Sequence, residues 1–333
     1  MRVALVRLTA MGDVIHTLAA VQFVKARFPH LHLSWFVEEK FAAVLANNPD
    51  VDAVIPLRLH DLKKRPSPTL LRANLKKVRQ AGPFDLVIDA QGLMKSAAVA
   101  RAAGNTVAGL DAASIKEKPA TLLYRHRYRI DCAEIAPMRF AGLIAKALGM
   151  RIEKRTMAQK APYLYWDERR IDPTLHDALR GDGPLVLIVV GASNASKTYP
   201  AERWIEVVQK LKECRIKLIA GSAKERESAQ TISDATHAEL LPPTDLNGLK
   251  YAVSRADLLI GNDTGPSHMA WALNRPSIVL FGSTPRSMMF ETPINVAITS
   301  GAKVHPCRFD KSDRSITRIP PQTIVQKARE LLA

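Results

Sequence analysis

Apolar runs of strand length alternate with helical patterns from Arg2 onward, and after residue 183 the alternation starts again. No other feature constrains the fold as strongly. Strand–helix alternation builds a parallel sheet whose two faces are covered by helices. In the first half, 2–8, 32–37, 52–56, 84–90 and 106–110 read as strands, and 14–28, 70–80, 96–103 and 135–148 as helices. In the second half the strands are 185–190, 216–220, 257–260, 277–281 and a short one ending at Leu241. Its helices are 201–212, 224–231, 246–254 and 266–273. Between the halves, 149–183 is charged and punctuated by Pro162, Pro173, Gly181 and Gly183, the composition of an interdomain connection. The expectation is an α/β protein of two domains, 1–160 and 180–320, facing each other across a cleft. The helical tail, about 322–333, is expected to pack back on the first domain, by analogy with open α/β domains.

At 333 residues and 47% hydrophobic, the chain is long enough for two cores. No apolar run reaches the length of a membrane-spanning helix. The start moves straight into a strand and a glycine turn and lacks the pattern of a signal peptide, so a cytoplasmic location is expected. Cys132, Cys214 and Cys307 have no CxxC spacing and read as incidental thiols of a reduced compartment, not metal ligands. The net charge is +16, and residues 1–150 carry 22 basic against 12 acidic side chains. Such a balance favours anionic partners: nucleic acid, anionic lipid, or a phosphorylated and carboxylated substrate. Aromatic residues are only 6%, and no RNP, zinc-finger or basic-zipper pattern is present, so a nucleic-acid partner is the distant alternative.

Four loops at predicted strand ends carry candidate chemistry. The first, Thr9-Ala10-Met11-Gly12-Asp13, joins the first strand to the first helix, where open α/β sheets bind ligands. Asp13 reads either as an N-cap or as a proton acceptor. The second, 261–268, brings Asp263, Thr264, Gly265, Ser267 and His268 to the start of a helix, an arrangement that suits an anion such as a diphosphate. The third, 191–197, offers small polar residues and Lys197 for phosphate neutralisation. The fourth, 221–225, places Glu225 where a carboxylate can hold a ribose diol. There is no GxGxxG, no GxxxxGK[ST], no HExxH and no GxSxG.

The opening MRVALVRLTAMGDVIHTLAAV, the internal FDLVIDAQGLMKSA and the later GNDTGPSHMAWAL resemble the lipopolysaccharide heptosyltransferases of glycosyltransferase family 9. The resemblance covers nearly the whole chain, and the middle block, 89–96, is closer to the branch that adds the first heptose. It implies the GT-B fold of two Rossmann-like domains, the first binding acceptor and the second the nucleotide-sugar donor. It implies inverting, metal-independent transfer of L-glycero-D-manno-heptose from ADP-heptose to the first Kdo of Kdo2-lipid A, with no cofactor. Heptosyltransferase II, or another core heptosyltransferase with a different acceptor, is the alternative. By resemblance Asp13 is the general base, Lys197 and Ser193 meet the donor phosphates, and Glu225 holds the ribose. Thr244 sits where adenine packs, and Asp263, Thr264, Gly265 and His268 complete the donor site. Two positions depart from the family pattern. The segment 134–139 lacks a His that often opens the corresponding helix, and Lys116 stands where an arginine is expected.

An acceptor rich in phosphates and carboxylates suits the basic first half. Lys63, Lys64 and Arg65 precede Pro66 and Pro68 and are expected on a loop. With Gln91, Lys95 and Lys116 they form the expected acceptor set. The same charge is expected to hold the protein peripherally on the anionic cytoplasmic face of the inner membrane.

Overall fold

Strand β1 (Arg2–Val6) is buried at every residue after Arg2, and a sheet grows on both sides of it. The computed structural model describes residues 1–307 and 309–333, which fall into two units, Met1–Tyr165 and Trp166–Ala333. The first unit adds β2 (His32–Glu38), β3 (Ala53–Leu57), β4 (Leu86–Asp89), β5 (Val107–Leu110) and β6 (His126–Tyr128). All pairings are parallel, in the order β3-β2-β1-β4-β5-β6. The second unit holds β7 (Leu185–Val189), β8 (Arg215–Ile219), β9 (Glu239–Leu240), β10 (Leu258–Asn262), β11 (Ser277–Phe281) and β12 (Asn295–Thr299). Its sheet, β12-β11-β10-β7-β8-β9, repeats the same winding. In both units the chain reverses its direction of growth beside the first strand, between β1 and β4 and between β7 and β10. Ligands of doubly wound sheets bind outside the carboxyl ends of the strands at that switch point.

The central strands β7, β10 and β11 are buried throughout, which explains their uninterrupted apolar runs. The outer strands β6 and β12 were not expected. β6 is short and exposed at His126 and Arg127, and β12 offers only the three-residue apolar run 296–298 between polar ends.

Three local expectations are corrected. The predicted helix 14–28 is two helices, Met11–Leu18 and Val21–Arg27, separated at Ala19–Ala20. Lys63 and Lys64 are not on a loop: they end the short helix Leu59–Lys64, and Arg65 follows as its C-cap, just before Pro66. The tail helix Pro321–Leu332 does not return to the first unit. Its Ile324, Val325 and Ala328 are buried in one cluster with Val207, Val208 and Leu211 of the second unit. Arg329 adds an ion pair to Glu213 there. An apolar stripe at i, i+1 and i+4 matched by the stripe of helix Ala201–Lys210 decides that docking. Cys214 is a buried free thiol of this core.

Candidate functional site

In the first unit the residues of interest follow β1 and β4. These strands are in register at Val6 and Asp89, so the loops after them leave the same sheet edge. Helix Met11–Leu18 starts from Ala10, not from Asp13. Asp13 is its third residue and reaches back, its Oδ2 accepting from Ala10 N at 3.3 Å. The same Oδ2 is ion-paired with Arg7, whose guanidinium is almost fully buried. Asp13 Oδ1 accepts no hydrogen bond among the described residues. Arg7 Nη1 donates to Ala90 O at 2.5 Å, and the guanidinium lies 4.3 Å from the centre of the Phe140 ring. Arg139, on helix Ala136–Ala147, joins this group: burial, and then the nearby Arg7 charge, lower its pKa, and Asp13 opposes them. Arg7 and Arg139 each retain a buried Nε with no hydrogen-bond partner. The cluster therefore presents an ionic carboxylate with one free oxygen beside two cations.

Gln91 does not stand free for an acceptor. Its Oε1 accepts from Leu8 N at 2.8 Å and Thr9 N at 3.2 Å, and its Nε2 donates to Thr9 Oγ1 at 3.3 Å. It thus straps down the loop that carries Asp13. Its own loop is anchored by Asp89, a fully buried carboxylate that accepts from Gln91 N, Gly92 N, Ser96 Oγ and Tyr124 Oη. Burial raises the Asp89 pKa against those four donors. Gly92 takes φ +74°, and a Cβ there would lie 2.9 Å from Ile115 Cγ1. Only glycine fits that turn without strain. Lys63, Lys64, Arg65, Lys95 and Lys116 are all exposed, with no ion pair among the described residues. Lys95 lies in the first turn of helix Met94–Ala103.

In the second unit the centre is Asp263, at the end of β10 and 3% exposed at its side chain. Lys197 Nζ is 2.6 Å from its Oδ2, Thr284 Oγ1 donates to Oδ2 at 2.9 Å, and His268 Nε2 lies 3.0 Å from Oδ1. A carboxylate can only accept, so His268 Nε2 carries the proton. Burial opposes the Asp263 charge, but the His268 hydrogen bond and the Lys197 charge outweigh it and hold the carboxyl well below the usual carboxylate range. Lys197, in the turn Ala195–Lys197, is therefore already paired, not waiting with a bare charge. Helix Gly265–Ala272 begins here with Thr264 as N-cap. The Thr264 hydroxyl does not cap it, and Pro266 has no N–H, so the positive end of the helix is left open beside the cluster.

Asn262 holds this edge together. Its Nδ2 donates to Val190 O and Gly191 O at 3.0 and 3.2 Å, and its Oδ1 accepts from Tyr199 N at 3.0 Å. Ser267 Oγ donates to Asn262 O at 2.6 Å, and Ser283 bonds Ser196, closing the turn that bears Lys197. Arg7, Ser283 and Thr284 escaped the sequence reading, which covered Asn262 and Arg139 only as members of the segments 261–268 and 134–139. Of these only Arg7, six residues before Asp13 in the opening block, carried a local signal.

Glu225 caps its own helix: Oε2 accepts from Gly221 N and Ser222 N, both at 2.8 Å. The side chain lies so close over Gly191 that a Cβ there would stand 2.2 Å from it. Glu225 is thus at the end of β7, beside the Lys197 loop, with Oε1 free of hydrogen bonds among the described residues. Ser193 is exposed and makes no hydrogen bond among the described residues. Thr244 is exposed before helix Leu246–Arg255 and packs over Gly248, whose added Cβ would meet its Oγ1 at 1.9 Å. Among the described residues, no group of three or more His, Cys, Asp or Glu is placed to hold a metal ion.

Known proteins share this fold. The profile of glycosyltransferase family 9 (heptosyltransferase) matches residues 72–314. The lipopolysaccharide heptosyltransferase 1 of Campylobacter coli is 33% identical over 99% of both chains. That of Escherichia coli is 32% identical over 85% of this chain and 88% of its own. The solved structure of the E. coli heptosyltransferase WaaC with ADP superposes with a TM-score of 0.81 at 26% identity, over 99% of this chain and 100% of that one. The two doubly wound sheets are those of the GT-B glycosyltransferases. A match over most of the length, in a fold whose polar clusters sit at the strand ends, decides the matter: the chain belongs to glycosyltransferase family 9, the heptosyltransferases.

Proposed function

We propose that the protein transfers L-glycero-D-manno-heptose from ADP-heptose to the first Kdo of Kdo2-lipid A, with inversion at the anomeric carbon. One observation carries the reading: each unit gathers an ionic cluster at the carboxyl ends of its strands, the Arg7–Asp13 pair in the first and the Lys197–Asp263–His268 group in the second. Asp13 Oδ1 takes the proton of the acceptor hydroxyl, while Arg7 fixes the carboxylate through Oδ2. The hydroxyl oxygen forms its bond to the anomeric carbon as the bond to the diphosphate breaks on the opposite face. The charge that develops on ADP is stabilised by Lys197, His268 and the open start of helix Gly265–Ala272. Glu225 Oε1 is free to accept from a ribose hydroxyl, with Ser193 and Thr244 beside the nucleotide. The deciding assay combines purified protein, ADP-heptose and Kdo2-lipid A. A mass gain of one heptose supports the reading, and gain only on an acceptor already carrying heptose transfers it to a later step of core synthesis.

The reading needs no metal ion, because Lys197 and a helix terminus carry the phosphate charge. Excess EDTA is expected to leave the rate unchanged; loss restored by Mg²⁺ would overturn this.

The acceptor's phosphates and carboxylates are assigned to Lys63, Lys64 and Arg65, with Lys95 and Lys116. Lys64→Glu is expected to raise the KM for a soluble, deacylated acceptor many-fold while the donor KM stays put. A defect confined to membranes and erased by salt would mean that these charges only attract the surface. No helix among the described residues is long and apolar enough to cross a membrane. We assign the protein to the cytoplasmic face of the inner membrane, held there peripherally by its basic first unit.

A further inference from the structure

Helix Pro68–Ala81 turns Leu71, Leu75 and Val78 to one side, the i, i+4, i+7 stripe that usually disappears into a core. Here it does not. Val78 is buried, but Leu71 remains 45% exposed. The stripe forms one wall of an open groove of about 480 Å³ within the first unit. Leu57 and Val99 are buried at its base, and Ala98 opens onto it from helix Met94–Ala103. Lys63 and Lys95 are the two cations of its lining, one from each flanking helix, and no carboxylate lines it. Neither lysine has a hydrogen bond or ion pair among the described residues. Arg72 and Lys76, exposed on the same helix as the stripe, extend the positive border.

An apolar trough bordered by unpaired lysines matches one kind of molecule: a hydrocarbon chain attached to an anionic head. We propose that the groove holds one acyl chain of an anionic membrane phospholipid, with the headgroup phosphate at Lys63 and Lys95. The site rests on the membrane association proposed above and shares Lys63 and Lys95 with the proposed acceptor set, so its test reads lipid binding and not turnover. It turns a diffuse electrostatic attraction into a defined anchor, because chain burial adds a hydrophobic contribution that salt does not screen.

The test is co-sedimentation of the full chain with phosphatidylglycerol or phosphatidylcholine vesicles at about 0.15 M salt. The wild type is expected to prefer phosphatidylglycerol. Ala98→Trp, which fills the groove and leaves every charge in place, is expected to weaken that binding about tenfold. Leu71→Gln, at an already exposed position, should act in the same direction without threatening the fold, and Lys63→Gln/Lys95→Gln should weaken binding several-fold. A monomeric dodecyl lysophosphatidylglycerol should bind the wild type and resist displacement by glycerol phosphate. If both groove variants sediment with vesicles as the wild type does, the groove proposal falls while membrane association stands. If glycerol phosphate displaces the lysolipid, the site is an anion site only. If the lipid-free wild type dimerises and Ala98→Trp does not, the groove belongs to a second copy of the chain. If the wild type ignores vesicles altogether, the association and the anchor fall together.

Discussion

Asp13→Asn is expected to lower kcat by about 10²–10⁴-fold, the usual contribution of a general base, with donor binding nearly unchanged. The amide keeps an oxygen for Arg7 and Ala10 N, so the start of helix Met11–Leu18 is preserved. Asp13→Ala should lose the same turnover and some stability as well. It leaves Arg7, 5% exposed, with Ala90 O and the Phe140 ring as its remaining partners. Breaking a fully buried pair costs roughly 3–5 kcal/mol. The Asp13 side chain is 26% exposed, so a smaller loss is expected here. Single-turnover rates and thermal melts of both variants separate the two roles. Wild-type turnover by Asp13→Asn would reduce Asp13 to an ion-pair partner at a helix start.

Lys197→Met is expected to produce the second large effect. Losing one fixed charge from the site of the departing diphosphate should cost about 10²–10³-fold in kcat. It should also destabilise the second unit, because Asp263 keeps only His268 and Thr284 as partners in a buried setting. The pH dependence follows from the depressed Asp263 carboxyl. A carboxyl whose folded pKa lies below its unfolded value of about 3.9 contributes stability that is fully present above that value. The contribution is lost as pH falls through the folded pKa. The gap in Tm between wild type and Lys197→Met should therefore be widest at neutral pH and close in acid. A gap of constant size from neutral to strongly acidic pH would show that Lys197 and Asp263 are not energetically coupled.

The strand ends that bear these residues were legible because apolar runs stop at Gly, Asp and Thr, and short-range chemistry marks such stops. Asp13, Lys197, Asp263 and His268 could be picked out on that ground. Their partners could not. Thr284 reaches Asp263 across 21 residues, Asn262 reaches Val190 across 72, and Gln91 reaches Leu8 across 83. Those distances are closed by strand order, which periodicity does not report. The same gap hid where two groups are anchored. The bonds of Gln91 could not be read because its neighbours in space, Leu8 and Thr9, are remote in sequence. The tail helix was expected on the first domain, because its mate, helix Ala201–Lys210, lies more than a hundred residues earlier and gives no local signal.

The strap from Gln91 to the backbone of Leu8 and Thr9 makes two loops mechanically one. Lys95, four residues after Gln91, cannot be repositioned to suit a different acceptor without tugging the turn that aims Asp13. On the proposed roles of Lys95 and Asp13, acceptor choice and proton abstraction are thereby tuned together. Drift in residues 89–96 would register first as a misaimed carboxylate, and only afterwards as a change of substrate. On the same roles, a new acceptor would be accommodated most readily through Lys63 and Lys64 of helix Leu59–Lys64, which share no hydrogen bond with the turn of Asp13 among the described residues.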